Sequence, residues 1–471
     1  MYFSLILVNL LNYWRKLNPL TRNLLLFTFA NIVIVNFILI TLFSTDWKDI
    51  GLSRTEIFLR YGRTINDSWK PMLDAFNYIQ SDHQELLYSK VFFEEQTKFQ
   101  YPPTSLLVFY FLKINVVEKF LGGIGLSIFN TLKLISWNFI ILTVFFVIQI
   151  FNLSLKKYKG KENGDISRFE LIAINVLLVC LTLTFYPVVK AYTLGQIQCW
   201  LNALFAVVFW CWMTDRKKIA GILAGVMCLI KPQYALILIW GILRKQWSFT
   251  LGFVGASLLG LIVSISLIGF PDHVNYLSVL SFISKHGESF YTNQSMNGVL
   301  NRLLFNAPIL NFNHNSFPPY NPWVYLGTIL SSIALISAAL FLPMLTSEKG
   351  RIADFSIIAL TSTIASPIAW EHHYGILLPI YAFLLPYLLN RKILGKFTIS
   401  FLAISYLLTS NYFAIAKNLA YIKIAFIPLN IFLSYLLAGG LIVLVCLYIL
   451  RSTKYEINEG NDNIKNNVAI D

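Results

Sequence analysis

The sequence predicts an all-α polytopic membrane protein, and three observations carry that prediction. Charged residues make up only 13% of the 471 residues, while 56% are hydrophobic. A soluble protein carries about 25% charged residues, and half that leaves too little polar surface for a globule of this length. Several apolar runs reach the roughly 20 residues that a membrane-crossing helix needs. The basic residues gather in short loops between those runs, the mark of cytoplasmic ends. A soluble enzyme, a disordered chain and a small secreted domain are excluded.

The net charge of +14 is therefore read as topology, and no nucleic-acid partner is expected. Cys180, Cys199, Cys211, Cys228 and Cys446 all lie inside apolar runs without Cys-x-x-Cys spacing. They provide neither a disulfide framework nor a metal site. The segment Met1 to Tyr13 is apolar but short, and Trp14-Arg15-Lys16 follows without a small-residue cleavage site. It reads as an interfacial helix rather than a cleaved signal.

In lipid the backbone must satisfy its own hydrogen bonds, so each long apolar run is expected to be a helix. Arg15, Lys16 and Arg22 place the N-terminus inside, and the first span runs from about Leu24 to Ser44. The polar segment 45–101 lies outside. The run Pro103–Gly122, opened by Pro102-Pro103 and interrupted by Lys113, Glu118 and Lys119, is expected as a juxtamembrane helix on the outer surface. Leu126–Leu153 then crosses to the inner cluster Lys156, Lys157, Lys159 and Lys161. Further helices are expected at Phe169–Val188, Gln196–Met213, Ile219–Ile230, Gln233–Leu243, Ser248–Phe270, Trp323–Leu345, Phe355–Pro367, Tyr374–Leu389, Lys396–Thr409 and Ile424–Leu450. This gives about twelve transmembrane helices with both termini cytoplasmic. The halves flanking Lys231-Pro232 are too short for each to cross about 30 Å of hydrocarbon and could form one kinked span; the hairpin is preferred because it keeps Asp215–Lys218, Arg244-Lys245, Ser347–Arg351 and Asn390–Lys392 on one side. Residues 1–453 form one membrane domain, and 454–471, rich in Asn and charge, a disordered cytoplasmic tail.

The long polar segments 45–101 and 271–322 both fall outside, so chemistry is expected on the outer face. Asp67 to Ser81 reads as an amphipathic helix lying flat on the bilayer. Trp69, Met72, Leu73, Phe76 and Ile79 share one side, and Asp74 centres the polar one with Tyr78 near it. Asp67 or Ser68 would cap it. Asp74 is either a solvated carboxylate or a general base above the headgroups. Gln196 and Gln198, after Gly195, either pack between helices or bind sugar hydroxyls. Lys231, amid apolar residues, either snorkels or meets an anion such as phosphate. Asn293, Ser295 and Arg302 follow in the second outer loop, where an arginine can fork a phosphate.

The sharpest signal is Ser366-Pro367-Ile368-Ala369-Trp370-Glu371-His372-His373-Tyr374, which holds two of the six histidines at one bend. Adjacent histidines do not share a helix face, so a helical two-histidine metal site is not expected.

The order Asp74-x-x-x-Tyr78, Tyr101-Pro102-Pro103, Gly195-Gln196, Ala220-Gly221 into Lys231-Pro232, Asn293-x-Ser295 with Arg302, and Ser366-Pro367-x-x-Trp370-x-His372-His373 resembles glycosyltransferase family 87. That family lies within the GT-C superfamily of polytopic, lipid-sugar-dependent glycosyltransferases. The resemblance runs from the first span to about Pro379. It implies a GT-C-type bundle with outer-face juxtamembrane helices, inverting transfer of a hexose, commonly mannose, from a polyprenyl-phosphate donor to an envelope glycolipid or glycan, and no cofactor. The residues it implies are Asp74, in preference to Asp67, as base. Lys231, Arg302, His372 and His373 would hold the donor phosphate. Tyr78, Tyr101, Gln196, Gln198, Asn293, Ser295, Trp370 and Glu371 would contact the substrates. The implied place is the cell membrane, with the site on its non-cytoplasmic face. The chain lacks a Gly-rich phosphate loop, consistent with a lipid-borne donor. The competing readings are a transporter or flippase of lipid-linked sugars and, more weakly, an inactive glycolipid-binding scaffold.

Overall fold

The computed structural model describes residues 12, 14–62, 65–81, 84–123, 125–158, 166–343, 347–388 and 396–452. The expected interfacial helix over 1–13, except residue 12, the loop Asn390–Lys392 and the tail 454–471 lie outside the described residues.

The described chain is helical almost throughout, with one two-stranded hairpin. Five helices are long and apolar enough to cross a membrane: Pro19–Thr41, Ile128–Lys157, Trp247–Ile268, Pro322–Phe341 and Leu429–Ser452. A sixth arises if Arg168–Leu183 and Tyr186–Thr193, bent by 52°, count as one span. Shorter apolar helices fill other expected runs, among them Gln198–Met213 and Pro232–Leu243. They are short because prolines and polar residues interrupt them where they reach the cavity described below, a place where irregular backbone is tolerated. The segment after Pro102 breaks into Leu107–Leu112 and Asn115–Gly123, neither long enough to cross.

Lys231-Pro232 is the tip of a hairpin. Gly221, near the start of one leg, abuts the Phe249 carbonyl, and Gly241, near the end of the other, meets the Phe249 ring. Both legs therefore return to the same level of the Trp247–Ile268 helix. A 14-residue leg, Lys217–Ile230, rises only about 21 Å. Gly221, Gly225 and Gly252 permit the approach; a Cβ on Gly225 would stand 2.6 Å from the Phe253 carbonyl oxygen. An alanine there must push the two helices apart.

The short basic loops meet at one end of the bundle. Buried Asp354 accepts from Arg244 Nε at 2.8 Å, Arg451 Nη1 at 2.7 Å and Trp240 Nε1 at 2.7 Å. Lys157 pairs with Glu348 and donates to the Met213 carbonyl at 3.2 Å. The helices leaving this end carry Gln198, Lys231 and Ser366 at their far ends, so one set of parallel elements separates the basic loops from the polar bend.

The Trp69–Gln80 helix forms as its periodicity predicts and buries Trp69, Met72, Ala75 and Phe76. Its apolar face packs on protein rather than lying on lipid. Trp69 meets Trp200 at 5.0 Å between centroids, and Phe76 meets Phe109 at 5.7 Å and Tyr110 at 5.0 Å. Neither Asp67 nor Ser68 caps it through its side chain. Ser68 instead donates to the Gly195 carbonyl at 3.2 Å and accepts from Ile197 N at 2.8 Å. That stitching sets what Asp67 faces.

Candidate active site

A cavity of about 920 Å³ opens among the first outer segment, the Lys231 hairpin tip and the Ser366–His373 bend. Asp67, Asp74, Gln196, Lys231, His372 and His373 all line it. Positions separated by more than a hundred residues are thus brought to one volume, large enough for a sugar and its phosphate.

One wall is acidic. Asn66 takes a left-handed φ of 57°, and Asp67 N then donates to the Leu194 carbonyl at 2.8 Å. This turns the Asp67 carboxylate toward Gln196, whose Nε2 donates to it. Tyr101 OH donates in turn to Gln196 Oε1 at 3.1 Å. Asp67 is exposed where its carboxylate opens on the cavity, and protein packs around its other sides. That enclosure raises its pKa, opposed by the Gln196 hydrogen bond and the nearby charges of Lys190 and His314. Asp74, expected to be the base, stands elsewhere on the wall. Its carboxylate accepts from Lys70 Nζ at 2.7 Å and is 44% exposed, the surroundings of a solvated surface pair.

Another part of the lining holds Lys231, His372 and His373. Lys231, 6% exposed, has no carboxylate partner among the described residues. Its ammonium donates to Gln198 Oε1 at 2.8 Å and lies 2.5 Å from His373 Nε2. With Lys231 charged, its ammonium can only donate, and His373 then accepts through Nε2 and carries its proton on Nδ1. His373 Nδ1 and His372 Nε2 are both buried without a hydrogen-bond partner among the described residues. The two rings cross at 84°. Gln198 accepts from Lys231 while donating to Asn202 Oδ1 at 2.8 Å, and Asn202 donates to the His372 carbonyl at 3.4 Å. An unpaired buried cation and unpaired imidazole nitrogens beside a cavity are costly unless an anion arrives.

Trp370 and Glu371 form a third side. Asn293 pairs with Trp370 in an isolated bridge, Gln294 N donates to the Ala369 carbonyl at 2.7 Å, and Glu371 N donates to the Thr292 carbonyl at 3.1 Å. Buried Glu371 accepts from Tyr186 OH at 2.9 Å.

Five residues expected to touch substrate do not line the cavity. Arg302 is 0% exposed; its guanidinium donates to the Asn293 carbonyl at 2.8 Å, the Phe290 carbonyl at 3.4 Å and Ser434 Oγ at 2.6 Å. It clamps a loop, and its remaining donor Nε is buried without a partner among the described residues, away from the cavity lining. Asn293 and Ser295 bind the bend itself: Asn293 Oδ1 accepts from Ala369 N at 2.9 Å, and Ser295 Oγ donates to the Pro367 carbonyl at 2.8 Å. Gln198 stands behind Lys231. Tyr78 OH donates to the Glu85 carbonyl at 3.0 Å, away from the void. Arg302→Met is accordingly expected to cost about 3 kcal/mol of stability through orphaned buried carbonyls. Thermal unfolding in detergent checks this, with the donor KM of the surviving protein unchanged.

Residues that sequence reasoning passed over also reach the cavity: Lys190, Lys98 and His314. Lys190 follows an apolar run and was the more visible. Lys98 pairs with Glu288 at 2.9 Å under the Phe312 and Phe317 rings, an association across three segments that no local pattern announces.

A model of glycosyltransferase family 87 matches residues 99–367, more than half of the chain. The matched stretch includes Tyr101, Gln196, Lys231 and Ser366-Pro367, and it leaves Asp67, Asp74 and Trp370–His373 outside. No curated protein and no solved structure matches the chain. The matched segment, joined to a helical bundle whose longest apolar helices are membrane-crossing in length, identifies the chain as a member of glycosyltransferase family 87.

Proposed function

We propose that the protein transfers a hexose, mannose by family likeness, from a polyprenyl-phosphate donor to an envelope glycolipid or glycan, with inversion, at the non-cytoplasmic face of the cell membrane. The observation that carries this reading is one cavity lined both by the Asp67 carboxylate and by Lys231, a buried lysine with no carboxylate partner among the described residues, beside two unpaired imidazole nitrogens. About twelve helices would carry it, with both termini cytoplasmic and the outer segments around the cavity.

In the proposed reaction the acceptor hydroxyl oxygen attacks the anomeric carbon as its proton passes to the base. The anomeric carbon–oxygen bond breaks, and polyprenyl phosphate departs with the electron pair. A positioned base contributes about 10²–10⁴-fold. We assign that role to Asp67 in place of Asp74, because Gln196 orients the Asp67 carboxylate at the cavity while Lys70 occupies that of Asp74. Lys231 meets the charge that grows on the leaving phosphate. His372 Nε2 and the Nδ1–H of His373 supply further polar contacts there. Preorganised donors of this kind act more strongly in an enclosed site than in water. Trp370 and Tyr101 offer flat surfaces to sugar rings. Purified protein in vesicles, given a polyprenyl-phosphate hexose and a membrane glycolipid extract, should release polyprenyl phosphate and extend a glycolipid by one residue. Movement of intact donor across the vesicle without cleavage would refute the reading.

The raised pKa of Asp67 gives the pH dependence a sign. The base acts ionised, so activity is present above its pKa and lost as pH falls through it. The acid limb of the kcat/KM profile should therefore lie above the ordinary carboxylate value of about 3.9. Gln196→Leu removes a hydrogen bond that favours the charged form and should move that limb to still higher pH.

A further inference from the structure

The stretch 421–432 is not used by the transfer chemistry. Ile424 pairs with Ile427 and Lys423 with Pro428 in a two-stranded antiparallel hairpin, and Ala425 at the tip takes a φ of 53°. So small a hairpin is marginal alone; here the Leu429 N–H donates to the Ile422 carbonyl at 2.8 Å and closes it. Its side chains are turned outward. Phe426 is 97% exposed, with Ile424 at 64% and Ile427 at 66%. The lysine in this segment does not sit at the tip, because Lys423 Nζ folds back over the Phe305 ring at 4.5 Å.

The exposed apolar surface does not stop at the hairpin. Ile431 and Phe432 continue it onto the start of the Leu429–Ser452 helix, which is long and apolar enough to cross a membrane and, past a buried stretch at 433–437, exposes Val445 and Ile449. A contiguous patch of this kind marks an interaction surface, and its continuity with the start of that helix selects lipid as the occupant. We infer that the 423–428 hairpin buries its Phe426 tip in the interfacial layer of the leaflet on the cavity side, as a fixed wedge beside the site.

The wedge is coupled to the cavity wall. Asn430 Nδ2 donates to the Arg302 carbonyl at 2.7 Å, and Gln294 Nε2 donates to the Leu433 carbonyl at 2.8 Å. Arg302 holds the Asn293 carbonyl, and Asn293 pairs with Trp370. Buried hydrogen bonds thus connect the hairpin to the Trp370–Glu371 side of the cavity.

The inference does not depend on which sugar is transferred, or on transfer at all. It is tested with Phe426→Cys and Ile424→Cys, each carrying a nitroxide in a Cys180→Ala background, since Cys180 is the exposed native cysteine. Full-length protein is placed in phosphatidylethanolamine–phosphatidylglycerol vesicles, and relaxation by oxygen is compared with relaxation by a water-soluble nickel chelate. Severalfold dominance of oxygen at 426, and a smaller dominance at 424, is expected. Dominance of the nickel chelate at both positions would put the tip in water and overturn the inference. Exclusion of both relaxants with spin–spin broadening would show a second copy of the chain on the patch, which also overturns it.

Discussion

Asp67→Asn is expected to lower kcat by about 10²–10⁴-fold, the contribution of a positioned general base, while the protein still inserts and unfolds at its normal temperature. Asp74→Asn should stay within a few-fold of the parent, because its carboxylate is spent on Lys70 at the exposed rim. The paired comparison is the informative one. Both acids are on the same segment and line the same cavity, so a general effect of charge would strike both. Loss in Asp67→Asn alone, read as polyprenyl phosphate released per enzyme in single-turnover conditions, supports the assignment. The reverse pattern would return the base to Asp74.

Lys231→Met is expected to separate stability from activity. The ammonium is buried and its partners are neutral, so an apolar side chain of similar length should leave unfolding unchanged or raise its midpoint. The same change removes a positive charge that has no carboxylate partner among the described residues and should cost about 10²–10³-fold in kcat, the scale of losing one electrostatic contact to a developing anion. A residue kept only for structure would show the opposite combination, lower stability with activity falling only in proportion to folded protein. His372→Ala and His373→Ala should fall between, since each removes a polar contact but not the charge.

The helical bundle and several of the residues that line its cavity were legible because lipid imposes strict terms on the sequence. An ionisable residue inside an apolar run has few harmless positions, so Lys231-Pro232 and Trp370–His373 stood out, and both reach the cavity. The hairpin reading of Lys231-Pro232, preferred over one kinked span, followed from keeping the basic loops on one side, and Gly221 and Gly241 meeting Phe249 is its structural counterpart.

The choice between Asp67 and Asp74 was not legible. They are seven residues apart, about 20° short of two helical turns, so periodicity places them on the same face. What separates them is Gln196, remote in sequence, and the backbone pairing of Asp67 with Leu194. Arg302 misled for a related reason: a loop arginine that clamps carbonyls and one that binds phosphate read alike, and only the buried donors to Asn293 and Ser434 distinguish them. Bounds of the shorter helices differed in both directions, Tyr374–Leu389 shrinking to Leu377–Leu388 and Phe355–Pro367 becoming Glu348–Ile364, because hydropathy records composition and not where a cap or a polar bend ends the hydrogen-bond ladder.

The most direct measurement is the position of the phosphate of a bound polyprenyl phosphate, resolved by electron cryo-microscopy of the full chain in nanodiscs. The account predicts the phosphorus within hydrogen-bonding reach of Lys231 Nζ, with the adjoining space open toward Asp67. A phosphate bound at the basic end by Arg244 and Arg351, or held outside the cavity altogether, would contradict it.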